Sequence, residues 1–315
     1  MLALEYCLHN FINKIRGKLK IIILLKGGLG NQLYQYYAAK GLAETHNAQL
    51  IISCAFLPKY QDEFKGISRW PIEIRPLLQL EKIMKSPRQP KNRTSILSKI
   101  ISTAFINKER INNFIPALFL LDDAYYSSSS KFMKHNIVIM NGIFGANAHL
   151  LIRRSEIRQS IIRSVEPEML DQPSDIDKRN LSSLGIHIRL GDHLRLGAIN
   201  LEKARRYLQI ALSRVNIDSI GQINLFSDNI EAALTCFPND RFLLKKIRVD
   251  YQKLSPLETL VTLSKNDILI GGRSTFFWWA TFIQQESGIS FLPESWRGIR
   301  LPSHRFLPEN APLAF

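Results

Sequence analysis

The sequence predicts an α/β fold in two domains. Short apolar runs alternate with longer helical patterns in both halves of the chain, as in parallel sheets covered by helices. A polar stretch at residues 171–180 lacks apolar periodicity and separates the halves. The length of 315 residues also suits two domains. We therefore expect an N-terminal domain at 21–170 and a C-terminal domain at 181–315, joined by this linker.

The N-terminal domain opens with a predicted strand, turn, helix and strand. Ile21–Leu25 is a continuous apolar run, typical of a buried parallel strand. A glycine turn at 27–30 ends this strand, a helix is predicted over Asn31–His46, and the next strand over Gln49–Ser53. This βαβ unit supports a parallel sheet.

The glycine turn invites a dinucleotide-binding interpretation, because Gly28 and Gly30 begin the spacing G-x-G-x-x-G. Leu33 replaces the third glycine, and the second strand ends at Ser53 rather than at an acidic residue. Both departures argue against NAD as a ligand. The turn then predicts only a close approach of the backbone to another group.

The alternation of strands and helices restarts in the C-terminal domain. Strands are predicted over Leu184–Leu190, Gln222–Phe226, Phe242–Val249 and Asp267–Ile270. Helices are predicted over Leu201–Val215, Asn229–Cys236, Pro256–Ser264 and Ser274–Gln285. The last helix is rich in aromatic residues, which we expect to pack in the core rather than to stack on a base.

The charge of the chain favours anionic partners. The 42 Lys and Arg against 27 Asp and Glu give a net charge of +15, which suits phosphate-bearing ligands, anionic lipid or nucleic acid. Residues 1–20 form a basic amphipathic pattern that either lies on an anionic bilayer or packs on the domain. Residues 82–110 carry eight cations and one acid, and form either a solvated face or a surface toward membrane or acceptor.

The cysteines and the apolar runs indicate the compartment. Cys7, Cys54 and Cys236 lack the number and spacing of a disulfide framework or a zinc site. No apolar run near the start approaches the ~20 residues of a membrane-spanning helix or the length of a signal-peptide core. We therefore expect a cytoplasmic protein.

Polar side chains interrupt the predicted strand Leu184–Leu190. Alternation places His187 and Arg189 on one face, and Asp192 follows at the carboxyl end, where α/β sheets bind ligands. The arginine fork suits phosphate, and histidine can donate or accept a hydrogen bond beside it. The alternative is a salt bridge between Arg189 and Asp192 with a core histidine. Burial of such polar groups is costly without a partner, which favours a ligand.

Two further strand ends carry polar side chains. Ser274 and Thr275 follow a glycine turn and begin a helix, where hydroxyls and free N–H groups form an anion site. Ser274 also suits a helix cap, and the two roles are compatible. Asp228 follows the strand Gln222–Phe226, where its carboxylate accepts hydrogen bonds from a ribose or guanine, or caps the next helix.

Two acidic pairs are not expected to bind ligands. Asp175 and Asp177 have the spacing of a metal-binding acid pair but lie in the linker, so no metal site is predicted there. Asp122 and Asp123 follow an apolar run without an evident partner and are interpreted as surface residues.

Four blocks occur in order over most of the chain. They read K-G-G-L-G-N-Q-L-Y-Q-Y at Lys26–Tyr36, H-I-R-L-G-D-H at His187–His193, F-S-D-N at Phe226–Asn229 and S-T-F-F-W-W-A at Ser274–Ala280. They resemble G-G-L-G-N-Q-hydrophobic-F-Q-Y, H-x-R-R-G-D-Y, F-S-D-D and S-x-F-S-W-W-A of the α-1,2-fucosyltransferases of bacterial surface-polysaccharide synthesis, glycosyltransferase family 11.

The resemblance implies a GT-B-like fold, in which two Rossmann-like domains face a cleft that binds GDP-fucose. It also implies an inverting reaction and no required metal or other cofactor. Carried over by position, Arg189 holds the diphosphate and His187 contacts the nucleotide. Asp228 lies on the guanosine side, and Ser274 and Thr275 bind phosphate.

The N-terminal domain and the loop after His187 carry the remaining implied roles. Asn31, with Gly28 and Gly30, lines the cleft as a phosphate loop. Asp192 is a candidate catalytic base or a brace for Arg189. Three departures weaken the linkage assignment more than the donor assignment, since Leu190, His193 and Asn229 replace Arg, Tyr and Asp of the family pattern.

The resemblance further implies transfer of fucose to a galactoside hydroxyl in α-1,2 linkage, in O-antigen or lipopolysaccharide synthesis. The acceptor is then a lipid-linked glycan with terminal galactose, and the protein is peripheral to the inner membrane. One alternative is a different GDP-sugar transferase. Others are a basic nucleic-acid-binding protein, which the lack of a recognisable nucleic-acid motif disfavours, and a membrane-binding non-enzyme.

Overall fold

The computed structural model describes residues 19–53, 73–78, 82–84, 104, 106–114, 118–123, 135–145, 149–165, 181–190, 201–249, 251, 253–294 and 299–307. The chain divides into two compact units, Met1–Leu150 and Leu151–Phe315, each with its own parallel sheet. The predicted α/β fold with two parallel sheets is confirmed. Residues 1–18 of the predicted amphipathic segment and the linker predicted at 171–180 lie outside the described residues.

The first unit contains a five-stranded parallel sheet. Its strands are β1 (Lys20–Leu24), β2 (Gln49–Ser53), β3 (Lys82–Met84), β4 (Leu118–Leu121) and β5 (Ile137–Met140). They lie in the order β3-β2-β1-β5-β4, so the sheet grows outward from β1 and then returns to its other side. The strands β1 and β5 therefore flank the switch point at which α/β sheets bind ligands.

Three helices are described in or next to this unit: α1 (Leu29–Thr45), α2 (Lys108–Phe114) and α3 (His149–Ile152). The apolar side chains of β1 are buried, as expected for a central parallel strand. Leu33, Tyr37 and Leu42 of α1 are also buried, which confirms the inner side of the predicted helix.

The second unit contains a six-stranded parallel sheet. Its strands are β6 (Ser182–Ile188), β7 (Ile220–Ser227), β8 (Ile247–Arg248), β9 (Ile268–Gly271), β10 (Ile289–Pro293) and β11 (His304–Leu307). Their order is β11-β10-β9-β6-β7-β8, which is the doubly wound order of dinucleotide-binding folds. The switch point lies between β6 and β9.

The helices of the second unit are α4 (Arg154–Val165), α5 (Leu201–Leu212), α6 (Ile230–Leu234), α7 (Arg241–Lys245), α8 (Pro256–Ser264) and α9 (Thr275–Ile283). The arginines of α4 tie it to the end of α9. Arg154 Nε donates to the carbonyl of Phe282 at 2.7 Å, and Arg158 Nε donates to that of Ile283 at 2.8 Å. Guanidinium groups at helical carbonyls also complement the helix dipole.

One predicted strand was largely wrong. The first half of the segment Phe242–Val249 forms α7, and only Ile247–Arg248 remains as a strand. Asp240 caps this helix by accepting hydrogen bonds from the amides of Phe242 and Leu243 at 2.8 and 3.4 Å. The sequence analysis gave no prediction for β10 and β11. In the described part of the chain, no helix has both the length and the apolarity needed to span a membrane.

Candidate functional site

The carboxyl end of β6 divides its side chains between two faces. Ile186, Ile188 and Leu190 are buried in a hydrophobic core with α5, while His187 and Arg189 are half-buried on the opposite face. This is the alternation predicted from the sequence. The core position of Leu190 also explains why no cation stands there, because burial would remove the solvation of an unpaired guanidinium.

The His187 imidazole packs against two phenylalanine rings of α9. Its centroid lies 5.1 Å from that of Phe276, with 26° between the planes, and 6.1 Å from that of Phe277, with 10° between the planes. The stack fixes the imidazole plane beside the first turn of α9. The tryptophans of the same helix are fully buried, as expected for packing residues.

Ser274 stands directly before α9 and carries a buried hydroxyl. The residue is 7% exposed, and the hydroxyl makes no capping bond to the helix. Its Oγ has no hydrogen-bond partner among the described residues. A buried hydroxyl without a partner costs free energy, so a ligand that bonds to it is favoured. Thr275, half-buried, follows as the first residue of the helix.

The turn between β9 and α9 depends on close packing. A Cβ atom on Gly271 would lie 2.4 Å from the Phe277 ring, so only glycine fits there without movement. The buried phenol of Tyr207 donates to the carbonyl of Gly271 at 2.7 Å, and burial raises the pKa of that phenol. A rigid strand end thus precedes Ser274.

Asp228 joins the ends of two neighbouring strands. Its Oδ1 accepts a hydrogen bond from the Leu190 amide at 2.7 Å, which holds the chain that leaves β6. The cap of α6 is instead Asn229, whose Oδ1 accepts from the Ala232 amide at 3.1 Å. The capping alternative for Asp228 is therefore wrong. The residue itself is exposed.

The strand register brings these residues to one edge of the sheet. His187 pairs with Phe226 of β7 on one side and with Gly271 of β9 on the other. The end of β6 therefore lies between Asp228 and the turn that carries Ser274. Asp192 and His193 lie outside the described residues.

Arg273 is a residue of this edge that the sequence analysis did not weigh. It is exposed between Gly272 and Ser274, and no ion pair joins it to the described part of the chain. Arg189 lies one residue after the end of β6, and Arg273 lies two residues after the end of the neighbouring strand β9. The signal available in the sequence was a cation inside the glycine turn that precedes a predicted helix.

The glycine turn of the first unit is held by side chains of α1. Gly27 has a φ of 73°, a left-handed value that favours glycine, and a Cβ there would lie 2.6 Å from the Asn31 amide nitrogen. Gly28 is the N-cap of α1, and Gly30 and Asn31 lie in its first turn. Asn31 is half-buried.

Two buried glutamines fix this turn, and the sequence analysis gave them no role. Gln32 Nε2 donates to the carbonyl of Gly27 at 2.9 Å, and Gln35 Oε1 accepts from the Lys26 amide at 3.0 Å. Gln35 also donates back to the Lys26 carbonyl at 3.3 Å. Their i, i+3 spacing on a predicted helix next to a glycine turn was the available signal.

The interpretation of Asp122 and Asp123 as residues without partners was wrong, although Asp123 is exposed, as expected for a surface residue. Asp122 forms an ion pair with Lys108. Asp123 accepts hydrogen bonds from the amide of Ile143 at 3.0 Å and from that of Phe144. Each carboxylate was matched by groups distant in sequence, which a local pattern does not reveal.

Candidate metal ligands do not cluster in the described ranges. Three or more His, Cys, Asp or Glu side chains do not come together there in a way that could hold a metal ion. The cationic and hydrogen-bonding groups at the edge of the second sheet are instead suited to an anion.

A comparison with protein families gives a match over residues 20–308 to glycosyl transferase family 11. The chain belongs to glycosyl transferase family 11. This is a fucosyltransferase family whose enzymes do not need a metal ion, and the resemblance inferred from the four sequence blocks is thereby confirmed. No match was found among curated protein sequences.

Among solved structures, this family 11 chain is similar in fold to Arabidopsis thaliana FUT1 and has weaker similarity to two others. Arabidopsis thaliana FUT1, solved as a variant in complex with GDP, has a TM-score of 0.52 at 11% identity, over 94% of this chain and 76% of that one. The α-1,6-fucosyltransferase NodZ of Bradyrhizobium, soaked with GDP-fucose, has a TM-score of 0.43 at 15% identity, over 85% and 93%. ADP-heptose LPS heptosyltransferase II of E. coli has a TM-score of 0.42 at 11% identity, over 92% and 90%.

Proposed function

We propose that this family 11 chain transfers L-fucose with inversion from GDP-fucose to a galactoside hydroxyl in α-1,2 linkage. The observation that carries the donor assignment is the buried Ser274 hydroxyl at the start of α9, beside the strand end that bears His187 and Arg189. A diphosphate supplies acceptor oxygens for such a hydroxyl and negative charge for the arginine.

The leaving group explains the need for this arrangement. As the bond between fucose C1 and the diphosphate breaks, negative charge grows on the diphosphate oxygen, and fixed donors that meet it lower the barrier. Arg189, the hydroxyls of Ser274 and Thr275 and the first amides of α9 are proposed as these donors. His187 contacts the nucleotide, its plane set by the stack with Phe276.

Arg273 is proposed as a second cation for the diphosphate. The buried Leu190 leaves Arg189 as the arginine at the end of β6, whereas Arg273 lies two residues after the end of the neighbouring strand β9. Two cations on adjacent strands would share the charge of the departing GDP. Replacement of Arg273 is then expected to lower the rate of transfer less than replacement of Arg189.

Asp228 and Asp192 are proposed for different tasks. Asp228 holds the Leu190 amide through one oxygen and is assigned to the guanosine side of the donor. Asp192 remains a candidate catalytic base, which would take the proton of the attacking hydroxyl, or a brace for Arg189. Gly28, Gly30 and Asn31 are proposed to contact substrate from the first unit.

The biological setting is part of the proposal. The net charge of +15 and the basic pattern of residues 1–20 support a cytoplasmic protein peripheral to the inner membrane. A lipid-linked acceptor with terminal galactose, in O-antigen or lipopolysaccharide synthesis, would be presented at such a surface. Nucleic acid is not proposed as a partner.

The test is release of GDP by the purified protein in the presence of EDTA, with GDP-fucose, GDP-mannose and UDP-sugars as donors and a panel of β-galactosides as acceptors. Release from GDP-fucose that depends on an acceptor, followed by NMR identification of an α-1,2 linkage in the product, is the expected result. Preferential turnover of another nucleotide sugar would overturn the fucose assignment.

A further inference from the structure

A second set of polar groups lies in the first unit, at the switch point of its sheet. Lys26 follows β1, Asn141 follows β5 directly, and Asp123 lies two residues after the end of β4. Because all five strands are parallel, these three residues emerge at the same edge. The pair β1 and β5 flanks the reversal of strand order, which is the usual place for a ligand in an α/β sheet.

Contacts within the unit hold the three side chains in place. Lys26 Nζ donates to Asn141 Oδ1 at 3.3 Å, across the switch point itself. The two carboxylate oxygens of Asp123 each accept one hydrogen bond from a backbone amide, Oδ2 from Ile143 and Oδ1 from Phe144. A Cβ on Gly142 would lie 2.8 Å from the Asp123 carboxylate, so the glycine permits this approach.

The loop after β5 is also strained at one position. Phe144 is buried and has a φ of 60°, in the left-handed region that a bulky side chain rarely adopts. Such strain persists where surrounding contacts enforce it, and it concentrates at ligand-binding sites. Here the bonds to Asp123 enforce the conformation, and the loop in turn fixes the carboxylate.

The chemistry of this set fits a neutral polyol better than an anion. Each carboxylate oxygen of Asp123 accepts one hydrogen bond from a backbone amide and can accept a second. The ammonium of Lys26 has three N–H donors, and one of them donates to Asn141. A sugar hydroxyl both donates and accepts, so adjacent hydroxyls can bind Asp123 and Lys26 at once. A phosphate would meet the carboxylate as a like charge.

The environment of Lys26 agrees with this interpretation. Burial lowers the pKa of its ammonium, and the nearby Asp123 carboxylate opposes that shift. The two groups therefore interact through space, and a ligand that bridges them would gain hydrogen bonds to charged groups, which are the stronger kind.

We propose that Lys26, Asp123 and Asn141 form the subsite that binds the acceptor sugar, with Asp123 accepting a hydrogen bond from one hydroxyl and Lys26 donating to its neighbour. This inference rests on the proposed glycosyl transfer. It assigns the acceptor to named side chains of the first unit and leaves the nucleotide to the second.

The test compares Asp123→Asn and Lys26→Met with Asp122→Asn, a neighbouring carboxylate that pairs with Lys108 instead. Loss of one hydrogen bond to a charged group is expected to raise the acceptor KM at least tenfold in the first two variants. The KM for GDP-fucose and its acceptor-independent hydrolysis should stay unchanged. Asp122→Asn should keep the acceptor KM of the wild type.

Two results would overturn the subsite: an unchanged acceptor KM in both variants, or a rise in the KM for GDP-fucose that matches the rise for the acceptor. Asp123→Asn removes an acceptor that holds the strained loop, so this variant can unfold. Lys26→Met keeps the hydrogen bonds from the amides of Ile143 and Phe144 to Asp123. If Asp123→Asn shows no thermal transition, the acceptor KM of Lys26→Met alone tests the subsite.

Ligand-observed NMR with methyl β-galactoside and no donor separates this inference from the proposed function. Binding by the wild type that is lost in Lys26→Met supports the subsite even if no fucose is transferred. Binding that persists in both variants contradicts the subsite even if transfer by the wild type is demonstrated.

Discussion

Ser274 is a residue whose burial opposes folding but favours the binding of a ligand. Its hydroxyl is buried without a partner in the described part of the chain, although a serine at this position would ordinarily cap the helix. The sequence predicted an anion site or a cap as compatible roles. The missing capping bond favours the anion site, since the hydroxyl is left for a ligand.

Ser274→Ala is therefore expected to change stability and affinity in opposite directions. Removal of an unpaired buried hydroxyl should raise the free energy of unfolding by roughly 1 kcal/mol. Binding of GDP-fucose should weaken about tenfold, since one hydrogen bond to a charged phosphate is lost. Urea denaturation and calorimetric titration measure the two effects.

Ser290→Ala provides the matched control, because the Ser290 hydroxyl donates to Gln284 Oε1 at 2.6 Å in the same unit. This variant should lose about 1 kcal/mol of stability and keep its affinity for the donor. A destabilised Ser274→Ala with unchanged affinity would contradict the donor role of the hydroxyl.

At the residue scale, sequence patterns located side chains that act through their own strand or turn. His187 and Arg189 were recognised as candidates because they alternate with apolar residues of one strand, and Ser274 because it follows a strand and a glycine turn. Asp123 was missed because its partners, Ile143 and Phe144, lie about 20 residues away and come close only through strand pairing.

The contact between β9 and α9 determines the position of the turn that carries Ser274. Gly271 lies under the Phe277 ring, and that ring also stacks near His187. One strand end, one helix and one imidazole are thus packed as a group, and a change at the glycine should move all three.

Gly271→Ala is expected to lower the free energy of unfolding by about 1–3 kcal/mol, because the added methyl group forces a buried ring to move. It should also weaken GDP binding through the displaced His187. Gly41→Ala in α1, where a Cβ meets nothing within 4 Å, is the control and should gain roughly 0.5–1 kcal/mol. Thermal denaturation compares them, and equal Tm values would contradict the packing argument.

At the element scale, apolar periodicity and the glycine or polar breaks between runs predicted the elements around the site. These signals failed where a short helix has the apolar composition of a strand. The segment Phe242–Val249 is apolar enough for a buried strand, but Asp240 starts a helix there and Phe242 is 81% exposed. A local cap outweighed the apolar run. Strands β10 and β11 follow the last recognised motif, and they take their place because β10 pairs with β9 and β11 pairs with β10.

The stability of the second unit includes a contribution from a buried histidine, His304, outside the candidate site. His304 Nδ1 accepts from the Leu301 amide at 3.2 Å, and Nε2 lies 2.9 Å from the Thr281 hydroxyl, which itself donates to the Trp278 carbonyl. The neutral ring with its proton on Nε2 satisfies both bonds. Burial, and to a smaller extent Arg154, lowers the pKa of His304 to about 4.

Stability is therefore expected to fall with acid in a defined window. The unfolded chain takes up a proton on His304 near pH 6.5, whereas the folded protein does so only near pH 4. The contribution of neutral His304 to the free energy of unfolding is complete above pH 6.5. It falls by on the order of 3 kcal/mol as the pH is lowered to about 4. Urea denaturation between pH 4 and 7 measures it.

His304→Gln should flatten this dependence, while His46→Gln in the first unit should retain it. An equally steep loss of stability in His304→Gln would show that other groups cause it.

At the scale of the whole molecule, the sequence predicted two α/β domains, and the structure has two units, each with its own parallel sheet. The boundaries at 170 and 181 stay a prediction. Helix α4, which lies before residue 170, is part of the second compact unit, and its Arg154 and Arg158 donate hydrogen bonds to carbonyls at the end of α9. This contact could not be predicted from the two arginines, because their acceptors are backbone carbonyls, which every residue has and which therefore leave no pattern in a sequence.

The central claim is that the end of β6 and the start of α9 bind the diphosphate of a nucleotide sugar. The most direct test is calorimetric titration of GDP and of guanosine into the wild type, Arg189→Ala and the control Arg206→Ala, an exposed arginine of α5. Loss of a bidentate contact to phosphate should weaken GDP binding about a hundredfold in Arg189→Ala and abolish transfer, with guanosine binding and the thermal transition unchanged. Equal GDP affinity in a folded Arg189→Ala, with near-normal turnover, would contradict the account.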